Sequence, residues 1–325
     1  MLNGYIPANR FLPFLSWTDI AALPNKENTV IVLPTGAIEQ HGPHLPCAVD
    51  SVISSGVVGH ALARLPASIP AFAIPPITYG KSDEHLHFPG TLTLTGETLL
   101  HTILEIGESI YRAGFRKFLM VNGHGGQPQP LQMAARELRL RHGDMIIIMQ
   151  DTFKVPNCAE SFMDDKERQM AMHAGHAETA LMLALAPETV QMEKAVSNYP
   201  PEFPCPTLSS TKPMAAWVSY DFGPSGVIGD PLPSTPEQGA AILDSLAESW
   251  AKVITEVHEM QWITREAPAW GKAHWHGKVL DHNDAASLLK QESGIGYEKN
   301  IEPCCSTFRG PFRTGHGRRK IHVYD

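Results

Sequence analysis

The chain has 325 residues, 43% of them hydrophobic, with 34 acidic against 26 basic side chains and a formal net charge of −8. That length buries a large core in one domain or two, and the acidic balance excludes the basic footprint that nucleic-acid binding needs. Five scattered cysteines without a CxxC pair fit a reducing compartment better than a disulfide framework; with no signal-like N-terminus and no run of about 18 apolar residues, a cytoplasmic protein outside the membrane is expected.

Residues 1–28 read as an N-terminal arm with a short helix at 17–23. The apolar run 29–33 predicts the first buried strand, and 51–65, with small and apolar residues at three-to-four spacing, predicts a helix packed on it. The Pro-bounded run 71–80 reads as a second strand, followed by a polar loop at 79–90. A helix at 97–113 carries Leu100, Ile103, Leu104 and Ile110 on one stripe and stops at Gly114. Strand 118–121, the loop NGHGGQ and a helix from about 131 to 141 repeat the unit, and MIIIMQ (145–150) suits a central parallel strand. Residues 151–172 turn polar, a helix opens near His176 to Glu178, 199–213 reads as a loop, 226–231 as a surface turn, and 236–259 as an amphipathic helix. The alternation predicts a layered α/β domain over 1–262. Residues 263–325, with Gly, Pro, His and adjacent cysteines, are expected to form a C-terminal extension at an oligomer interface or over the pocket.

Metal-competent side chains fall at loop positions after strands, where a parallel sheet offers ligand sites. Glu39 and His41 are two residues apart, so in extended chain they point the same way. Asp50, at the mouth of the next helix, can bridge two cations with its two oxygens, and His124 follows a strand among glycines. Glu178 opens its helix. His173, five residues earlier, converges on it only if Gly175 breaks the helix, because five helical residues subtend about 140°. His44 either lines the pocket or bonds within its own loop, and the loop from Tyr79 to Gly90, with Lys81, Ser82, Asp83, Glu84, His85 and His87, either caps the site, the reading favoured here, or is a solvated loop. Carboxylates and imidazoles from several strand ends are what a hydrolytic two-metal centre needs.

GAIEQHGPHLP with Asp50 eleven positions after Glu39, YGKSDEHLHFPGT, VNGHGG, HAGHAET and GVIGDP, in that order over residues 28–255, resemble the creatininase (creatinine amidohydrolase) family. The resemblance implies an α/β/α sandwich with a mostly parallel sheet, two divalent ions per subunit (zinc or manganese, with iron(II) a further option), and a homo-oligomer, often a hexamer. It implies Glu39, Asp50 and His124 around one ion and His41, Asp50 and a further glutamate around the second. Creatininase has a ligand glutamate two residues after its NGH histidine where this chain has Gly126, which makes Glu178 the choice. His173 matches the histidine that assists proton transfer. Where many relatives are acidic this chain has His176, and no Trp stands between Trp17 and Trp217 to stack on a flat ring. Candidate substrate contacts are His44, Tyr79, Ser82, His85 and His176. The expected activity is cleavage of a C–N bond in a small cyclic amide, lactam or formamide by a hydroxide bridging two metals. A lactone or ester hydrolase, or a non-catalytic metal-binding scaffold, are the alternatives.

Overall fold

The structure, a computed structural model, describes residues 2–201 and 216–262; most of the expected 199–213 loop and the whole extension 263–325 lie outside the described residues. In chain order the elements are α1 (Trp17–Ala22), β1 (Val30–Thr35), α2 (Val49–Arg64), β2 (Ala71–Ala73), α3 (Gly96–Arg112), β3 (Lys117–Asn122), α4 (Pro128–Arg141), β4 (Ile146–Asp151), α5 (Asp165–Met170), α6 (His176–Leu185) and α7 (Pro236–Glu259). Strand order is β2-β1-β3-β4, every pair parallel.

Alternation along the strands builds the layers. Val30 and Val32 of β1 and Leu119 and Val121 of β3 face a cluster formed with α2, α6 and α7, including Trp250. Their neighbours Ile31, Leu33, Phe118 and Met120 face the opposite way, onto α3 and α4 through Leu99, Ile103, Leu131 and Leu138. Period-two side chains on a sheet covered on both faces give an α/β/α sandwich. Among the described residues no helix is long and apolar enough to cross a membrane.

Several boundaries differ from expectation for physical reasons. The second strand is only three residues long, because Pro75 and Pro76 lack the N–H groups that ladder pairing requires; the run rejoins β1 only at an isolated bridge, Thr35 to Ile77. β4 is an edge strand among the described residues, not a central one, and most of it is half-buried. Residues 226–231 are not a surface turn: Val227 and Ile228 are fully buried, and Ile228 pairs antiparallel with His173. The helix expected from about 131 starts at Pro128, where a proline at the first helical position loses no hydrogen bond.

The register matters most for the site. Thr35 pairs with Asn122 and Asn122 with Asp151, so three strands end level and their following loops open side by side. Behind them, α7 begins at a capping box between Thr235 and Gln238. Its Trp250 is fully buried and donates Nε1–H to the Thr152 carbonyl at 2.9 Å, tying the helix to the end of β4. Trp250→Ala is expected to cost about 3–5 kcal/mol, and Trp250→Phe about 1–3 kcal/mol for the orphaned carbonyl, both read from denaturant midpoints.

Candidate functional site

After β1 the chain runs buried through Gly36 to His41 and folds back against the first turn of α2. A Cβ on Gly36 would lie 2.5 Å from the Ser51 nitrogen, so only glycine permits that approach. The Glu39 N–H donates to the Cys47 carbonyl at 2.9 Å, closing the loop and setting Asp50 beside it. A carboxylate in the first helical turn also faces the positive end of the helix dipole.

Asp50 divides its carboxylate between two imidazoles from the loops that follow β1 and β3: Oδ1 lies 3.2 Å from His41 Nε2 and Oδ2 lies 3.2 Å from His124 Nδ1. Glu39 Oε2 is 3.1 Å from the same His124 nitrogen, while Oε1 is 3.3 Å from His85 Nε2 and 3.6 Å from His173 Nδ1. Glu178 Oε2 accepts from the Ala174 N–H at 2.6 Å, which leaves Oε1 facing His41 Nε2 at 4.0 Å. Glu39, His41, Asp50 and His124 are all buried. The structure thus brings together every expected metal ligand, with His173 and His85 joining them.

His173 reaches the cluster because the chain breaks before α6. Ala174 takes a left-handed φ of 54° and Gly175 caps the helix, while His173 and Ile228 exchange backbone hydrogen bonds at 3.1 and 2.8 Å. The His173 ring stands between those of His41 and His85, with centroid separations of 4.1 and 4.2 Å. Its Nε2 lies 2.6 Å from the Gln40 carbonyl, a partner that can only accept, so the proton sits on Nε2 and Nδ1 faces the cluster bare.

Burial disfavours every charge here, and the partners decide the outcome. His41 is pushed up to about 9, its burial outweighed by Asp50, Glu178 and Glu39. For His124 burial is likewise outweighed, chiefly by Glu39, and its pKa is raised well above the usual value. Asp50 is lowered, since His41 and His124 overcome its burial. Glu178 is raised by burial, and His173 is lowered well below the ordinary imidazole range by burial and then by the charges of His41 and His85.

The donor set fits divalent cations. Glu39 Oε2 and Asp50 Oδ2 are buried without a hydrogen-bond partner, because His124 Nδ1, although near both, does not meet hydrogen-bonding geometry with either. Bare buried carboxylate oxygens are costly unless a cation meets them. Ligand atoms of Glu39, His41 and Asp50 lie within 4.8 Å of one another, as do those of His41, His173 and Glu178 and those of Glu39, Glu84 and His124. Oxygen and imidazole donors suit zinc and manganese.

Two clefts meet at this cluster and share Met172, His173 and Glu178. One, of about 610 Å³, is lined by Glu39, Asp50, Lys81, Glu84, His85 and Trp217 among others. The other, of about 510 Å³, runs past Phe153, Lys154, Val155, Met163 and Arg168. None of the other candidate contacts belongs to these ligand groups. Tyr79 is exposed and lines neither cleft, and Ser82 is buried with its hydroxyl unpartnered. His44 Nε2 is 3.0 Å from the Thr179 hydroxyl on α6. His176 borders the second cleft, but its Nε2 bonds Gln238 at 3.0 Å. Of the capping loop, Lys81, Asp83, Glu84 and His85 do line the first cleft, whereas His87 stacks on Tyr220.

Sequence reasoning missed Trp217 in the first cleft and Glu167 behind the second. The buried Glu167 carboxylate accepts from the His176 N–H and the Asp230 N–H, both at 2.8 Å, and from the Tyr199 hydroxyl at 2.9 Å. It fastens the His173 segment to residues 226–231. The only signal for it was its place in the polar run DDKER, where a solvated charge is the ordinary reading.

A parallel α/β sandwich that gathers carboxylates and imidazoles at its strand ends defines a hydrolase fold with room for divalent ions. The chain belongs to the creatininase family: the family described as creatinine amidohydrolase matches residues 14–254. It is 33% identical over 224 residues to the mycofactocin precursor peptide peptidase of Mycobacterium ulcerans, covering 67% of this chain and 81% of that protein. It is 29% identical over 268 residues to the creatinine amidohydrolase of Pseudomonas putida, covering 76% and 96%. A solved manganese form of creatininase superposes with a TM-score of 0.61 at 28% identity, covering 76% of this chain and 98% of that one. A zinc-zinc form gives 0.62 at 28% identity, covering 76% and 97%.

One pH dependence follows from His44. Burial, and then the charge on His41, push its pKa down to about 4. Between pH 6.5 and about 4 the unfolded chain binds a proton that the folded chain refuses, so stability falls as pH drops through that window and levels off below it. His44→Gln, which keeps a partner for Thr179, is expected to flatten this limb of the stability profile, measured by denaturant unfolding from pH 7 to 4.

Proposed function

We propose that this chain hydrolyses a carbon–nitrogen bond of an amide, with two divalent cations held by Glu39, Asp50 and His124 on one side and by His41, Asp50 and Glu178 on the other. The observation that carries this reading is Asp50, whose two oxygens face two imidazoles at 3.2 Å each, with Glu39 and Glu178 flanking them. Zinc or manganese agrees with the metal forms of the creatininase structures that this fold resembles, and iron(II) is a third choice by family resemblance. When bound, such ions polarise a carbonyl and lower the pKa of water from 15.7 to about 7.

The chain's own residues supply the proton handling. His173 presents Nδ1 as its free acceptor and holds a proton there weakly, because burial and two neighbouring imidazoles oppose a second charge. It takes a proton from the attacking water and releases it to the leaving nitrogen. Glu178, anchored through one oxygen by the Ala174 N–H, offers the other to the cluster and orients it. His85, hydrogen-bonding distance from Gln40 and Ser219 through Nδ1, steadies Glu39 through Nε2.

The substrate class we favour is an amide with substituents on both sides of the scissile bond, since the clefts continue in two directions from His173 and Glu178. A linear or peptide-like amide occupies both; a lactam, other cyclic amide or formamide occupies one. The relatives' names span this range, from a peptide peptidase to a creatinine amidohydrolase. A homo-oligomer, a hexamer by family resemblance, and a cytoplasmic location belong to the same reading.

The test is a metal-reconstituted screen over short peptides, formamides, cyclic amides and matched esters. Amide turnover that depends on added metal is expected. His173→Asn should lower kcat by roughly 10²–10⁴-fold with metal content unchanged, and Asp50→Asn should lose metal and activity together. Turnover of esters alone would favour a lactone or ester hydrolase; tightly bound metal without any turnover would favour a scaffold. Protein that takes up no divalent ion defeats the proposal.

A further inference from the structure

The β3–α4 loop and the capping loop meet where Glu84 stands over Gly126. The turn Asp83–His85 carries the Glu84 carboxylate over the loop that follows His124. A Cβ built on Gly126 would fall 1.6 Å from Glu84 Oε1, 2.6 Å from its carboxyl carbon and 2.6 Å from His124 Nε2. The backbone at Gly126 is not left-handed. Space, and not backbone conformation, sets the preference there: the Glu84 carboxylate stands in the volume that a side chain at 126 would fill, so any such side chain would displace it.

In that position Glu84 faces His124 from behind. Its Oε1 is 3.3 Å from His124 Nε2, the nitrogen that also meets the Lys81 carbonyl at 2.9 Å, while its Oε2 is 3.7 Å from the Lys81 ammonium. The Lys81 carbonyl, which can only accept, places the proton on Nε2, and the Nδ1 lone pair is aimed at Glu39 Oε2 and Asp50 Oδ2, 3.1 and 3.2 Å away. The Glu84 side chain is 13% exposed and lines the first cleft.

We infer that Glu84 is a positioning residue for the metal centre: its carboxylate, 3.3 Å behind His124 Nε2 and beside the Lys81 carbonyl that accepts from it, holds the ring orientation and raises the basicity of the Nδ1 presented as a ligand, and Gly126 is the space that lets it do so. The inference rests on the proposed two-cation reading. Carboxylates placed behind a ligand imidazole raise its basicity and hold its geometry, and their loss weakens metal binding by roughly 10- to 100-fold.

The experiment is competitive titration of chelator-stripped full-length protein with Zn²⁺ against a chromophoric chelator, for wild type, Glu84→Ala and Glu84→Gln. The thermal unfolding of each stripped protein serves as the check on folding. Glu84→Ala is expected to weaken one of the two Zn²⁺ sites by roughly 10- to 100-fold and leave the other unchanged. Glu84→Gln, which keeps an oxygen acceptor, recovers part of the loss. Imidazole ¹⁵N signals of the zinc-loaded protein should show His124 protonated on Nε2 in both, with the Nε2 signal shifted in Glu84→Ala and partly restored in Glu84→Gln, a change that a merely structural role would not produce. An alanine variant that binds zinc as tightly as wild type, or a glutamine variant no better than alanine, overturns the inference while the two-cation reading stands. A wild type that binds no zinc overturns both.

Discussion

The arrangement depends on the position of one carboxylate. Asp50 lies buried in the first turn of α2 with its oxygens turned toward imidazoles from the loops that follow β1 and β3. Glu39 and Glu178 stand beside it, and three carboxylates at such distances in a poorly solvated site repel one another by several kcal/mol unless positive charge intervenes. Protons on His41 and His124 are one source of that charge, which is why both imidazoles hold their protons so far above the usual range. Divalent cations are the other, and they compete with protons for the same lone pairs. The cluster is therefore strained toward cation binding by its own composition, whichever cation answers.

A second layer of contacts keeps that charge from pulling the site apart. Glu167 gathers the His176 and Asp230 backbone N–H groups and the Tyr199 hydroxyl, and the His173–Ile228 bridge holds the other edge of the same segment. Gln40 turns from the ligand loop to meet both His85 and the Gly226 carbonyl. Most of these partners are more than forty residues apart, so the site is clamped by long-range contacts on all sides. Local helix or loop stability contributes little to it.

That distinction separates what was legible in the sequence from what was not. The strands and helices announced themselves by periodicity, and Glu39, His41, Asp50, His124, His173 and Glu178 by lying at strand ends and helix starts. Both signals are local. The shortness of β2 is legible in Pro75 and Pro76, which lack the N–H groups that would extend it. The burial of Val227 and Ile228 was hidden by flanking glycines that read as a turn, although Gly226 and Gly229, at φ of 75° and 154°, instead lead the chain into and out of a pairing with His173. Glu167 looked solvated because its partners sit 9, 32 and 63 residues away. Glu84 looked like one polar loop residue among several, and Trp217 lay beyond a loop whose path nothing in the sequence predicts. Residues whose role comes from tertiary partners leave no periodic trace.

Asn122 shows how the sheet and the site become one problem. It closes β3 and is buried. Its Oδ1 accepts from the Thr35 hydroxyl at 3.2 Å and from Gln127 Nε2 at 3.0 Å; its Nδ2 donates to the His124 carbonyl at 2.6 Å and to Asp151 Oδ1 at 2.8 Å. One amide thus ties together the ends of β1, β3 and β4 and the loop that carries His124. A slip of β3 by one residue would move His124 by about 3.3 Å and turn alternate side chains to the other face, separating its Nδ1 from both Glu39 and Asp50. The amide is a donor and an acceptor at once, which neither aspartate nor leucine of similar size can be. The strand ends that form the core's last layer are therefore also the first positional constraint on the cluster, and packing and chemistry meet in a residue that lines neither cleft.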